Sequence, residues 1–371
     1  MRILLLGEYS NVHHTLAQGL KALGHDVTVA SDGDNWKNYP RDIDMRRKSL
    51  SWWHTLCFVY RTWRQFRSFK DYDIVQLINP IFLPLKAERI WPYYKMLRKN
   101  NRKIVMGAFG MDYYYVKGCL DFETFEYSDF NIGGKERICS DNEEFKRDWL
   151  NGYKGLINQK IAADADMIIA GLYEYYVCYK KYFSPQSKVK FVPFPIITLP
   201  QERATYSRQQ GDPLRIFIGI QQKRSKYKGT DIMLKAAKRI SQDLPADCEL
   251  KIAQNVPFEE YVQMMQHSDV ILDQLYSYTP AMNALEAMNR GLITVGGGEP
   301  ENYSIINELC LRPIINVKPN ENSVYEALKN LVENRDSLIP ILKTQGFEYI
   351  QKHHDYVRIA RKYEEIYESI L

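Results

Sequence analysis

The sequence predicts an α/β protein built from two doubly wound, Rossmann-like domains, and three observations lead there. Apolar runs of strand length alternate with amphipathic helical stretches along the chain. The alternation starts afresh after a Pro-containing connector around Pro200. The chain has 371 residues, about twice what one compact core usually supports.

The first half opens with an uninterrupted apolar strand over 2–6, closed by Gly7. A helical pattern over 15–23 ends at Gly24, and a second strand reads over 26–30. Strand, helix and strand with a glycine at the helix end is the start of a helix-covered parallel sheet. Further strands are expected over 74–77, 104–108 and 167–170, with residues 190–200 as connector.

A fresh strand over 214–220 repeats the scheme in the second half. Helix 230–240, strand 249–253, helix 258–266, strand 269–273, helix 280–290 and strand 292–295 follow. The expected division is 1–195 and 196–371. Residues 346–371 read as one amphipathic helix, which either covers its own domain or packs back on the first.

Bulk numbers exclude several classes. With 45% hydrophobic and 26% charged residues the composition is that of an ordinary globular chain. A net charge of +5 is too small to point to nucleic acid. The six cysteines form no C-x-x-C pair, so neither a metal site nor a disulfide framework is indicated, and a reducing cytoplasm is the expected compartment. The opening MRILLLGEYS does not read as a signal peptide, and no apolar run reaches bilayer-spanning length.

Two stretches carry the chemistry. In IFIGIQQKRSKYKGTDIML (216–234) a strand runs through Gly219 into a basic loop and then a helix. Gly219 would let backbone approach a ligand closely. Lys223, Arg224, Lys226 and Lys228, with the helix N-terminus behind them, would hold a diphosphate; by itself the loop reads equally as solvated surface. In SDVILDQLYSYTPAMNALEAMNRG (268–291) Thr279 occupies an N-cap position and Pro280 a first helical turn. The N–H groups of Ala281, Met282 and Asn283 would then face the carboxyl edge of the sheet, where open α/β sheets bind ligands. Glu286, one turn in, would reach a ribose hydroxyl, or serve as a salt-bridged surface residue.

These stretches, with the opening ILLLGEYSNVHHTLAQGLKALGHDVTVAS and the closing HDYVRIARKYEEIYESIL, resemble the family 4 group of retaining GT-B glycosyltransferases over nearly the whole chain. The resemblance implies the GT-B fold, two Rossmann-like domains facing a cleft, the second holding a nucleotide-diphosphate sugar. It implies that Arg224 (or Lys223) and Lys228 grip the donor pyrophosphate and that Glu286 binds the ribose. The family's first glutamate, eight positions earlier, is replaced by Tyr278, which keeps a hydroxyl and loses the charge; this puts the donor sugar, or activity itself, in question. Retention of configuration is implied by the resemblance alone.

The acceptor, a saccharide or a lipid-linked saccharide, belongs to the first domain in this reading. His13 or His14 is a candidate to orient its hydroxyl or a phosphate, or one of them caps the following helix. Asp112, in GAFGMD (107–112), resembles the family's G-x-D turn and would accept a hydrogen bond from the acceptor, or simply start the next helix. Fixed cations with helix N–H groups would offset the charge on the departing diphosphate, so neither metal nor cofactor is expected.

Between Arg41 and Lys70 eight basic residues face two acidic ones, interleaved with Trp52, Trp53, Phe58, Trp63, Phe66 and Phe69. The stretch would lie on an anionic membrane surface at the inner face, or bury its aromatics under a basic rim. The expected activity is glycosyl transfer in polysaccharide or glycan biosynthesis. The rivals are a GT-B sugar-nucleotide epimerase and a non-catalytic nucleotide-sugar-binding protein.

Overall fold

A computed structural model describes residues 1–47, 49, 51–183, 188–200, 209–221 and 224–371. Lys223 and Lys48, and most of the polar stretch after Pro200, lie outside the described residues. In chain order the strands are β1 (Arg2–Leu6), β2 (Asp26–Ser31), β3 (Ile43–Asp44), β4 (Ile74–Leu77), β5 (Lys103–Ala108), β6 (Asn131–Ile132), β7 (Lys135–Glu136), β8 (Met167–Ala170), β9 (Val189–Phe191), β10 (Leu214–Ile220), β11 (Cys248–Gln254), β12 (Val270–Leu272), β13 (Ile293–Gly296) and β14 (Ile315–Asn316).

The chain divides into two compact units: Met1–Gly118 with Glu144–Pro195 and Tyr356–Leu371, and Cys119–Glu143 with Ile196–Asp355. The first holds a parallel sheet of order β3-β2-β1-β4-β5-β8-β9. Its central strands are buried on both faces, as covered parallel strands must be, with Ile3, Leu4, Leu5 and Leu6 fully enclosed. The order reverses direction between β1 and β4. The helix Tyr356–Ile370 belongs to this unit and lies against the helix Val12–Ala22. A Cβ on Gly19 would come within 2.3 Å of the Tyr356 carbonyl oxygen, so a larger residue there would push the two helices apart.

The second unit has a parallel sheet of order β11-β10-β12-β13-β14 and the small antiparallel pair β6-β7. Side-chain alternation along β10 divides the core: Leu214, Ile216, Ile218 and Ile220 pack with Met233, Ile240, Val324 and Leu328, whereas Phe217 joins Met265, Ile271 and Ala287 on the other face. At the amino-terminal end of β10 and β12 the enclosed Asp269 accepts from the Arg215 Nε at 2.9 Å and Nη2 at 3.0 Å, and pairs with the Lys343 Nζ at 3.2 Å. These cations hold its carboxyl below the usual range against the effect of burial.

Three expectations need correction. Residues 346–371 are not one helix: Arg335–His353 ends at His354, and Tyr356–Ile370 begins anew. The break is fixed by a distant partner, since the Ile196 N–H donates to the His354 carbonyl and the Thr198 hydroxyl to Asp355. Residues 189–191 are no connector but β9, an edge strand paired with β8. The helix expected over 280–290 starts later, at Met282, with Ala281 extended as its N-cap.

Candidate functional site

The direction reversal in the second sheet lies between β10 and β12, and open parallel sheets bind ligands at the carboxyl ends of the strands flanking such a point. Two loops leave those ends. One runs from Ile220 through a single helical turn, Ser225–Lys228, to Gly229 and the helix Thr230–Asp243. The other runs from Asp273 to the helix Met282–Asn289. They are stitched together by the Leu275 N–H donating to the Lys228 carbonyl at 3.0 Å. Gly229 adopts φ 73° at this crossing, and a Cβ there would meet Leu275 at 2.6 Å and Tyr276 at 2.7 Å, so only glycine fits.

A polar constellation forms where the loops meet. Asp273 is buried at the end of β12, and burial pushes its carboxyl up while the Lys228 charge pulls it down. The Asn283 side chain donates to the Asp273 Oδ1 at 3.2 Å and accepts from the Tyr261 hydroxyl at 3.0 Å. The Ala284 N–H also turns to Asp273. A carboxylate therefore already answers the positive end of this helix, beside the cation expected to hold phosphate.

Several expected residues meet partners within the protein. Ala281 is the cap, so the first-turn N–H groups belong to Met282, Asn283 and Ala284. Gly219 is required by protein packing: a Cβ there would meet the Tyr261 ring at 2.6 Å. Glu286 pairs with Arg290 at 2.5 Å, one turn on, with its side chain about a third exposed. Arg224 is exposed, its guanidinium 5.5 Å from the Tyr227 ring. Asp273 and Tyr261 were missed by sequence reasoning, although Asp273 closes a predicted strand and so carried a positional signal.

Tyr278 is buried, and its hydroxyl accepts from the Glu126 N–H at 2.9 Å. Its ring packs on Phe125 and Tyr127, with centroids 5.5 and 4.9 Å away. It anchors the segment Cys119–Glu143, which is fastened at further points: Tyr127 donates to Glu299 at 2.6 Å, Tyr227 to Asp129 at 2.7 Å, and Arg137 to the Lys226 carbonyl at 2.7 Å with its guanidinium over the Tyr276 ring. A carboxylate in place of Tyr278 should therefore harm the fold. Tyr278→Glu would bury a charge against two aromatic rings, and its urea midpoint should fall further than that of Tyr278→Phe, which loses only the hydroxyl's hydrogen bonds to the Glu126 and Tyr127 N–H groups, each worth about 1 kcal/mol.

In the first unit the candidates follow two different strands, His13 and His14 after β1 and Asp112 after β5. His13 is fully buried. Its Nδ1 lies 2.8 Å from the Gly7 carbonyl, which can only accept, so Nδ1 carries the proton and Nε2 accepts from Gln76 at 3.1 Å. The Gln76 oxygen in turn accepts from Tyr367 at 2.7 Å. This closed chain leaves His13 no lone pair for an acceptor, and burial lowers its pKa to about 3. An unfolded histidine titrates near ~6.5, so the unfolded chain takes up a proton first and stability declines as pH falls below that value. Urea midpoints at neutral and mildly acidic pH should differ less in His13→Gln than in the parent.

His14 is half-exposed, and its N–H donates to the Glu8 Oε2 at 2.8 Å. Glu8, rather than either imidazole, caps the start of this helix through the His13 and His14 N–H groups. Burial raises its carboxyl to about 8. Asp112 is enclosed, accepts from the Tyr115 N–H and the Tyr179 hydroxyl, both at 2.9 Å, and sits at about 7 through burial. It starts the helix Tyr113–Cys119.

No family model matches the chain, and no curated protein does either. Solved structures do match over the whole chain. A sucrose-phosphate synthase from Thermosynechococcus elongatus is 11% identical with a TM-score of 0.64, covering 100% of this chain and 99% of its own. Anabaena HepE in complex with UDP and glucose is 11% identical, TM-score 0.61, with 100% of both chains covered. The chain has the GT-B fold. A UDP-GlcNAc 2-epimerase from Neisseria meningitidis is also similar, at 10% identity and TM-score 0.54 over 99% of both chains, so this fold by itself does not decide between transfer and epimerisation.

Proposed function

We propose that the chain is a glycosyltransferase that takes its sugar from a nucleotide-diphosphate donor bound on the second unit. The observation that carries this is the meeting of the Lys228 loop and the Met282–Asn289 helix start at the reversal point of the second sheet. Lys228 would bind the diphosphate, displacing its interaction with Asp273, and Arg224 would add a second charge from the preceding loop. The Met282 and Asn283 N–H groups would complete the phosphate contacts. In transfer, negative charge grows on the departing diphosphate, and these fixed donors would stabilise it without metal or cofactor. Retention of configuration, and a role in building polysaccharide or glycan in the cytoplasm on a saccharide or lipid-linked acceptor, belong to the same reading.

The sugar subsite differs from the family pattern, because the Tyr278 hydroxyl is engaged with the Glu126 N–H. Sugar selection would therefore fall to other groups, with Asn283 and Asp273, hydrogen-bonded to each other where the two loops meet, as the candidates. Calorimetric titration with UDP, GDP and ADP, followed by transfer and hydrolysis assays over UDP- and GDP-sugars, tests the proposal. Turnover supports it; conversion of the free sugar nucleotide into its epimer supports the epimerase, and tight binding without turnover a binding protein. Glu286→Ala should raise the donor dissociation constant several-fold. An unchanged constant would leave Glu286 with its Arg290 ion pair alone.

A further inference from the structure

The helix Trp52–Ser68 has two apolar faces where a surface helix of a globular protein has one. Phe58, Thr62 and Phe66 face the core and are buried. Away from them, Trp52, Trp53, Leu56, Tyr60 and Trp63 share a sector of roughly 100° at helical spacing. All five are exposed, Trp53 at 68%, Trp52 and Tyr60 at 64%. Together they present on the order of 500 Å² of largely aromatic surface, near the top of the ~300–600 Å² range of the largest patch on an ordinary monomer.

Charge says what would cover this face. No acidic residue occurs from Trp52 to Lys70, whereas Arg64, Arg67 and Lys70 are exposed in or just after the helix. The Arg67 guanidinium lies 4.7 Å from the Trp63 ring centre, so cation and aromatic belong to one surface. Two other arginines nearby are already committed: Arg46, ahead of the helix, pairs with Asp44 at 2.8 Å, and Arg61, within it, donates to the Arg46 carbonyl at 2.6 Å. Among the described residues no helix is long and apolar enough to cross a membrane, so the helix can lie on a bilayer but not span one. Tryptophan and tyrosine suit the headgroup boundary, and the arginines suit anionic headgroups above it.

We propose that this helix face docks on an anionic lipid bilayer, with Trp52, Trp53 and Trp63 entering the headgroup boundary and Arg64 and Arg67 meeting acidic headgroups. A second copy of the chain would also bury the aromatics, but would bring the arginines against their own kind across a two-fold axis.

Flotation of the full chain with vesicles tests this. Recovery should be high with equal parts phosphatidylcholine and phosphatidylglycerol, low with phosphatidylcholine alone, and should drop with added salt. Arg64→Gln with Arg67→Gln should lower the partition coefficient roughly 30-fold, at about one kcal/mol per surface cation. Trp52→Ser, Trp53→Ser and Trp63→Ser together should abolish flotation while leaving the circular dichroism and UDP affinity unchanged. Equal recovery on neutral and anionic vesicles, or variants that float like the parent, would overturn the proposal. So would a concentration-dependent dimer that the tryptophan variant loses. These outcomes are independent of donor turnover, so either proposal can fail without the other.

Discussion

Replacing Lys228 by alanine is expected to weaken the binding of UDP or GDP by roughly 10- to 150-fold, the loss of one charge-assisted contact worth about 1.5–3 kcal/mol. The site makes this residue costly to lose. Asp273 lies buried within reach of the Lys228 charge, and the lysine pulls its carboxyl down against burial. Without the lysine, an incoming diphosphate would meet a buried carboxyl with less cation beside it, so attraction is lost and repulsion gained. Lys228→Arg should recover only part of the affinity, since a planar fork replaces a compact ammonium in a loop closed by Leu275 and Gly229. Asp273→Asn in the Lys228→Ala background should recover more, because it removes the repulsion. Calorimetry on the single and double variants yields the coupling between the two positions. An affinity equal to the parent's in Lys228→Ala would mean that the diphosphate binds elsewhere.

What the sequence made legible follows a physical divide. Long central strands such as Leu214–Ile220 and the helix Phe258–Gln266 are set by local apolar patterning and were read at their observed bounds. The edge strands β3, β9 and β14 have two or three residues, too few to carry a period. The pair Thr279-Pro280 was a valid local start signal that the structure overrides. The Tyr278 ring is held by Phe125 and Tyr127, and its carbonyl accepts from the Glu299 N–H, which keeps the chain extended to Ala281. Those partners lie far away along the chain, where no window of sequence reaches them. The same holds for His13, whose partner Gln76 comes from β4 and is held in turn by Tyr367 of the final helix. The loop around Lys228 was recognisable from its charges and glycine. That Asp273 answers those charges was not, because burial of a carboxylate depends on what closes over it.

Asp269→Asn is expected to cost about 3–5 kcal/mol, the usual result of removing one member of a buried ion pair and leaving its partner uncompensated. The Asp269 side chain is fully enclosed, and Arg215 shows only 10% of its own, so water cannot replace the lost carboxylate. Lys343, at 18%, can swing its amine outward and is the lesser problem. Replacing both members, Arg215→Met with Asp269→Leu, should therefore recover much of the loss, since no buried charge is left unpaired. The pH dependence has a definite sign. The folded carboxyl lies below its unfolded value near ~3.9, so the stabilisation is present above that pH and is lost as pH falls through the folded value. Urea midpoints of parent and Asp269→Asn should be far apart at neutral pH and converge in acid. β12 joins this clamp to the site, with Asp269 just before Val270 and Asp273 just after Leu272. Loosening its amino end should therefore weaken nucleotide binding as well, whereas Lys228→Ala should weaken binding with a much smaller fall in the urea midpoint, because the Asp273 carboxyl keeps its Asn283 and Ala284 donors. An Asp269→Asn protein with the parent's midpoint would show that the carboxylate is not what holds β10 and β12 in place.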